Sequence, residues 1–257
     1  MRIKRMKQLA VCTLLAGMIG SAGCSSGYSL VSVEGSRIAM SSVYDEQADK
    51  EAMRILKPYK DSVDAVMKPI IGHATEILKV YRPESPLSNL IADVLRESAE
   101  LKTGIVPEIG VMNMGGIRNI LNAGPITFSS IYEISPFQNA LVVVSMKGED
   151  LLELFKQMAA VHGEGLSGAN LVISKEGELL SAKVGGKVID PQKEYHVATI
   201  DYLAEGNDHF EAFKRATSKT VPADAILRDL FIDYVKRCEK QGKPVQAKVE
   251  GRIVEQQ

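Results

Sequence analysis

Three short segments carry side chains able to grip a small polar ligand. Asn113-Met114-Gly115-Gly116-Ile117-Arg118 brings an amide, a glycine pair and a guanidinium to the end of a short apolar run. Glycines let backbone N–H groups approach a ligand closely, and the planar fork of an arginine suits an anion. Ser135-Pro136-Phe137-Gln138-Asn139 sets a ring and an amide just before a strongly apolar run, and Asp201-Tyr202 through Asp208 sets a second ring and a carboxylate just after another. Gly163, opening a glycine-rich stretch, is a fourth candidate. Two rings with an amide and a carboxylate are what a purine or pyrimidine needs: the base stacks, worth about 1–3 kcal/mol per base, and polar groups meet ring edges or ribose hydroxyls. Taken alone, however, Phe137 and Tyr202 fit core packing better than base stacking.

Other chemistries are poorly served. The four histidines, His73, His162, His196 and His209, form no H-x-H or H-E-x-x-H pattern, so no metal ligand is expected. Gly165-Leu166-Ser167-Gly168-Ala169 approaches a nucleophile elbow, with Asp190 and His196 in triad-like order. An elbow needs a helix after its serine, and the strand-like run Leu171–Ser174 follows instead, so Gly163–Gly168 reads as a flexible loop. Gly115-Gly116 is too short to cradle a dinucleotide or triphosphate, and no G-K-[ST] follows it. The expectation is a chain with no catalytic residue, no metal and no cofactor of its own.

The elements that must position these residues can be read from periodicity. Val31–Met40 reads as a short strand, and Asp45 to Met67 as a helix that Pro58 should kink or split. Further helices are expected at Leu87–Lys102, from Gly148 to Val161, and at Pro222–Glu239. Strands are expected at Ile109–Asn113, Leu141–Met146, Leu171–Ser174, Leu180–Val184, Lys187–Ile189, Tyr195–Ile200 and Val249–Ile253, with strand and helix-start signals mixed over Ile126–Ile134. The pattern is α+β: a single domain over 45–257 with a mixed β-sheet packed by helices, preceded by a long linker-like N-terminal helix. With 257 residues, 25% charged and 45% hydrophobic, the chain can bury a sizeable core. Its formal net charge of −1 argues against binding a nucleic-acid polymer, which needs a basic face.

The first residues read as an address. Arg2, Lys4, Arg5 and Lys7 precede an apolar run from Leu9 to Ile19, then Gly20-Ser21-Ala22-Gly23 and Cys24. This is the layout of a secretory signal over 1–23, with an apolar run too short to span a bilayer. Cys24 after small residues resembles the lipobox of bacterial lipoproteins, with Ser21 where a leucine is usual; ordinary cleavage near Ala22 is the alternative. Acylation would make 24–44 a lipidated tether to the bacterial cell envelope, on the periplasmic side.

The three ligand-gripping segments, in order and at these intervals, resemble the C-terminal domain of the 5′-nucleotidase and UDP-sugar hydrolase family. That domain carries N-G-G-G-I-R, then P-F-G-N, then A-T-x-x-F-x-x-x-G-G-D-G. Here Asn113–Arg118 is followed nineteen residues on by Phe137, and then by Ala198-Thr199-Ile200-Asp201-Tyr202 through Asp208. The resemblance runs from about Asp49 to Ile253. It implies that Phe137 and Tyr202 sandwich a base, that Asn139 contacts it, and that Asp208 takes ribose hydroxyls. Asn113, Gly115, Arg118 and the Gly163 backbone would lie nearby. Met114, Gln138, Asn207 and His209 stand where the family has glycines, Tyr202 where it has phenylalanine, and Tyr81 where it has an arginine, with Arg82 beside it. In the family a separate N-terminal domain holds two metals and cleaves the ester, so the implied partners are a nucleoside or nucleotide, a separate metallophosphatase chain and a membrane through the lipid anchor. The alternatives are a stand-alone nucleoside-binding lipoprotein of the envelope and a structural lipoprotein whose pocket has decayed.

Overall fold

The structure, a computed structural model, describes residues 30–256. The proposed signal segment and Cys24 lie outside the described residues. The chain divides between Met53 and Arg54 into two compact units. In the first, residues 30–41 form no strand. Val31, Val33, Ile38 and Met40 are all exposed, and no strand among the described residues takes up their backbone groups, so the alternation there does not become a strand. A 3-10 turn at Ser42–Gln47 follows.

Helix α1, Lys50–Met67, runs uninterrupted through Pro58 and buries none of its residues. Asp49 Oδ1 accepts from the N–H groups of Glu51 and Ala52, which caps its first turn. The pairs Lys57–Asp61 and Lys60–Asp64 support the turns after Pro58. No helix among the described residues is long and apolar enough to cross a membrane.

The second unit holds the core. Strand β1 (Ile70–Ala74) leads to helix α2 (Pro86–Thr103), and β2 (Ile109–Met112) to β3 (Gly124–Thr127), helix α3 (Phe128–Ile134) and β4 (Leu141–Lys147). Helix α4 (Gly148–Ala160) then precedes β5 (Gly165–Ser167), β6 (Ala169–Ser174), β7 (Leu179–Val184), β8 (Lys187–Val188) and β9 (Glu194–Ile200). The chain closes with the short helix α5 (Asp201–Ala204), β10 (Ser218–Thr220), helix α6 (Leu227–Lys240) and β11 (Ile253–Gln256). The expected α+β domain is present, with its strands shared among a central sheet ordered β10-β4-β9-β2-β5, a second ordered β11-β6-β7-β8, and the pair β1-β3.

Three boundaries differ from expectation. The glycine-rich stretch is strand β5, antiparallel to β2, and Ser167 is 1% exposed, so it is no nucleophile elbow. Helix α6 starts at Leu227 rather than Pro222. The closing strand begins at Ile253 because Glu84 organises the residues before it. That buried carboxylate accepts from Asn89 Nδ2 at 2.6 Å and from the backbone N–H groups of Glu250 and Arg252, each at 2.8 Å. A side chain distant in sequence thus does what strand pairing would otherwise do.

The central sheet sets where ligand-gripping loops can stand. β2 and β9 run parallel, with Gly110 beside Ala198, and β4 runs antiparallel to β9, with Leu141 beside Ile200. The C-terminal ends of β2 and β9 and the N-terminal end of β4 therefore share one edge. Helix α2 packs against this sheet at close range: a Cβ on Gly110 would stand 2.4 Å from the Ala92 carbonyl oxygen. Gly110→Ala should force helix and strand apart and cost about 1–3 kcal/mol, read as a lower midpoint in equilibrium denaturant unfolding.

Candidate functional site

At that shared edge lies an open cavity of about 400 Å³, lined by Asn113, Gly115, Gly116, Arg118, Phe137, Asn139, Ile200, Tyr202 and Asp208. Seven of the eight ligand residues expected from sequence meet here, although they come from three loops. Each loop leaves the end of a central strand: Asn113–Arg118 follows β2, Phe137–Asn139 precedes β4, and Tyr202–Asp208 follows β9. Ligands of mixed and parallel sheets commonly bind at such strand ends.

The eighth residue, Gly163, is not among the lining residues. Its φ is +102°, and a Cβ there would stand 2.2 Å from the Pro83 carbonyl oxygen. Its own carbonyl accepts from Arg82 Nε at 3.0 Å. Gly163 is a close-approach glycine that seats the Arg82-Pro83 turn.

Phe137 and Tyr202 are 48% and 40% exposed. Core packing, which their residue types favour, is therefore not their role; two large apolar faces stand in solvent on one cavity. The Tyr202 hydroxyl donates to Asp208 Oδ1 at 2.7 Å, and Asn113 Nδ2 donates to Asp208 Oδ2 at 2.6 Å. One carboxylate thus ties the loop after β2 to the loop after β9. That hydrogen bond, and then partial burial, hold the Tyr202 phenol above its ordinary pKa. Asp201 Oδ1 accepts from both Asn139 Nδ2 (3.1 Å) and the Tyr202 N–H (2.8 Å), joining the third loop to the second. Arg118 is exposed, and its Nη1 donates to the Gly115 carbonyl at 3.1 Å.

Beneath the glycine turn, Glu164 takes hydrogen bonds from the Met114 N–H and Arg82 Nη2. Its carboxyl is held above the ordinary range, chiefly by burial, which the Met114 and Arg82 contacts only partly offset; Asp208 adds a second negative charge nearby. Glu164 and Arg82 were not read from the sequence as a pair, because 82 residues separate them. The only signal was Arg82 beside the position where an arginine was expected. A Cβ on Gly116 would stand 2.7 Å from Met112 Cε and 2.9 Å from Asn113 Oδ1, so both side chains would have to shift. That Asn113 oxygen is buried and without a hydrogen-bond partner. No group of three or more His, Cys, Asp or Glu able to hold a metal ion occurs among the described residues.

A family model described as 5′-nucleotidase, C-terminal domain, matches residues 70–215. The chain is 30% identical to Endonuclease YhcR of Bacillus subtilis over 82% of its own length and 18% of that protein. It is 32% identical to Cell wall protein Lmo0130 of Listeria monocytogenes, over 66% of this chain and 24% of that one. Among solved structures it is similar to a 5′-nucleotidase precursor from Thermus thermophilus, with a TM-score of 0.70 and 29% identity over 80% of this chain and 43% of that chain. The chain thus spans less than half the length of each of these proteins.

The third loop carries strain. Asp208 and His209 hold φ values of +54° and +69°, a conformation that costs a non-glycine residue about 1–2 kcal/mol and that Asp tolerates better than His. His209 is exposed, so His209→Gly should raise stability by about 1 kcal/mol, seen as a higher thermal midpoint. A lower midpoint would mean that the imidazole makes a contact the fold needs.

Proposed function

The chain belongs to the 5′-nucleotidase C-terminal domain family, and from that premise we propose that it is the nucleoside- or nucleotide-binding half of a 5′-nucleotidase-type phosphoesterase. The observation that carries this reading is the pair of exposed rings, Phe137 and Tyr202, on one cavity with Asn113, Arg118 and Asp208. The base stacks on the rings, a sequence-tolerant interaction because every base has a π face. Ribose hydroxyls donate to the Asp208 carboxylate, whose two oxygens keep lone pairs beyond those used by Tyr202 and Asn113. Arg118, a planar fork on the cavity lining, faces the phosphate end.

Binding and orientation are this chain's part of the work; bond cleavage belongs to a separate metallophosphatase chain, whose own divalent metals activate water. In this arrangement the substrate domain lowers the barrier by positioning, since a held substrate reacts as if at very high local concentration. The same cavity would serve a stand-alone nucleoside-binding protein of the envelope, the second reading. A phosphatase that gains activity on adding this chain separates the two.

The envelope is the proposed location, with Cys24 as the acylated residue and the leader removed. The charged head, short apolar run and small residues before Cys24 support this, as does the similarity to a protein named for the cell wall. In cells fed labelled palmitate, the wild-type chain should take up label and Cys24→Ser should not; equal labelling of both would remove the anchor from the proposal.

Calorimetric titration of the chain starting at Ser25 with adenosine, AMP and UDP-glucose tests the pocket itself. Phe137→Ala and Tyr202→Ala should each weaken binding by about 5- to 100-fold, with both variants still folded by circular dichroism. Binding that survives both substitutions would overturn the stacking site. The isolated chain should also show no phosphatase turnover with added divalent metal, and robust turnover would overturn the division of labour.

A further inference from the structure

Phe137 stands on an irregular, half-exposed segment. The ring is 48% exposed, and residues 136–139 form no helix or strand. A stacking surface must nonetheless be fixed, or the ligand must meet the entropy of ordering it. The backbone of this segment is gripped by the residues that open helix α6. The Leu227 N–H donates to the Asn139 carbonyl at 2.9 Å, and the Leu141 N–H to the Ala225 carbonyl at 2.8 Å. Between these bonds, Ala140 and Ile226 form an isolated antiparallel bridge. Ile226 gives the helix no side-chain cap, so the Asn139 carbonyl takes one of the first free helix donors instead.

Arg228 completes the grip and is out of place by any other reading. It is the second residue of helix α6, where the helix dipole disfavours a cation. It is also 8% exposed, rare for an arginine without a close ion pair. Its ion pair does not account for the burial: Nε stands 3.8 Å from Asp229 Oδ1, on a largely exposed side chain, and has no hydrogen-bond partner. What the guanidinium does touch is the stacking segment and its root: its Cζ lies over the Tyr132 ring, 4.1 Å from the ring centre, and Nη1 donates to the Pro136 carbonyl at 3.3 Å. Tyr132 belongs to α3, which ends at Ile134, and the Ile134 carbonyl takes the Arg118 N–H at 2.9 Å. The cation therefore sits at the junction from which two of the three cavity loops emerge.

We propose that Arg228 is a positioning residue for base binding: stacked on Tyr132 and bonded to the Pro136 carbonyl, it fixes the backbone that presents Phe137 to the base. The role rests on the nucleoside reading of the cavity. It needs both the flat face and the fork of a guanidinium, so charge alone does not suffice.

Two measurements on the full chain test it, one without ligand. In hydrogen exchange, Arg228→Met should speed the amides of Leu141 and Leu227, whose hydrogen bonds hold the segment, by about tenfold and leave those of Val142–Val144 in β4 unchanged, as local rather than global opening requires. Unchanged exchange at Leu141 and Leu227 would overturn the proposal. In calorimetric titration with adenosine, Arg228→Met and Arg228→Lys should each raise Kd by about tenfold, part of what stacking supplies. In a Phe137→Ala background the same substitutions should add less than about twofold, because the effect runs through that ring. Fully additive losses would show that Arg228 acts elsewhere and would overturn it. Should Arg228→Met fail to fold, Tyr132→Leu removes the ring beneath the guanidinium and should reproduce both results. Wild-type chain that binds no adenosine defeats the nucleoside reading, while the exchange measurement still decides whether Arg228 holds the segment.

Discussion

Strand β9 is the constraint on which the site depends. It lies between β4 and β2, and Val197, Ala198, Thr199 and Ile200 are all 1% exposed or less. A strand buried on both faces and paired on both edges cannot slip by one residue without turning its whole apolar set around. The ends of three strands are thereby held level, and the three ligand-gripping loops have a common edge from which to start. Thr199 tightens the arrangement, its hydroxyl donating to the Val111 carbonyl of β2 at 3.0 Å.

Above that frame, carboxylates rather than apolar contacts join the loops. Asp208 links the loops after β2 and β9, Asp201 links the loop after β9 to the one before β4, and Glu164 supports the glycine turn from beneath. This suits a binding surface. Apolar side chains in such positions would collapse into the cavity, whereas charge-assisted hydrogen bonds hold backbone and rings apart in defined geometry. The cost is local strain, seen at Asp208 and His209, of the kind functional loops commonly carry.

On the proposed function, the flat faces, the engaged carboxylate and the exposed guanidinium of the cavity would orient a planar base with a polar sugar and leave the other end of the ligand open to solvent or to a second protein. The apolar residues Met53, Ile55, Leu56, Tyr59, Val63 and Val66 of α1 are exposed.

Much of this was legible in the chain itself. Leu141–Met146, the helix following Gly148, and the helix expected at Leu87–Lys102 stand nearly where periodicity places them, because runs of buried apolar residues are written in neighbouring positions. Asn113, Phe137, Tyr202 and Asp208 could be named as candidates from residue type and spacing, but only the family resemblance favoured stacking over core packing for the two rings. Other features belonged to the tertiary structure alone. That Phe137 and Tyr202 are exposed rather than packed, that Gly163 seats a proline turn instead of lining the cavity, that Val31–Met40 finds no partner strand, and that Glu84, Glu164 and Arg228 hold distant backbone all depend on contacts between residues tens to more than a hundred positions apart. Periodicity records which face of an element is buried, but not what it is buried against, and a buried charge is placed by partners that only the folded chain brings within hydrogen-bond reach.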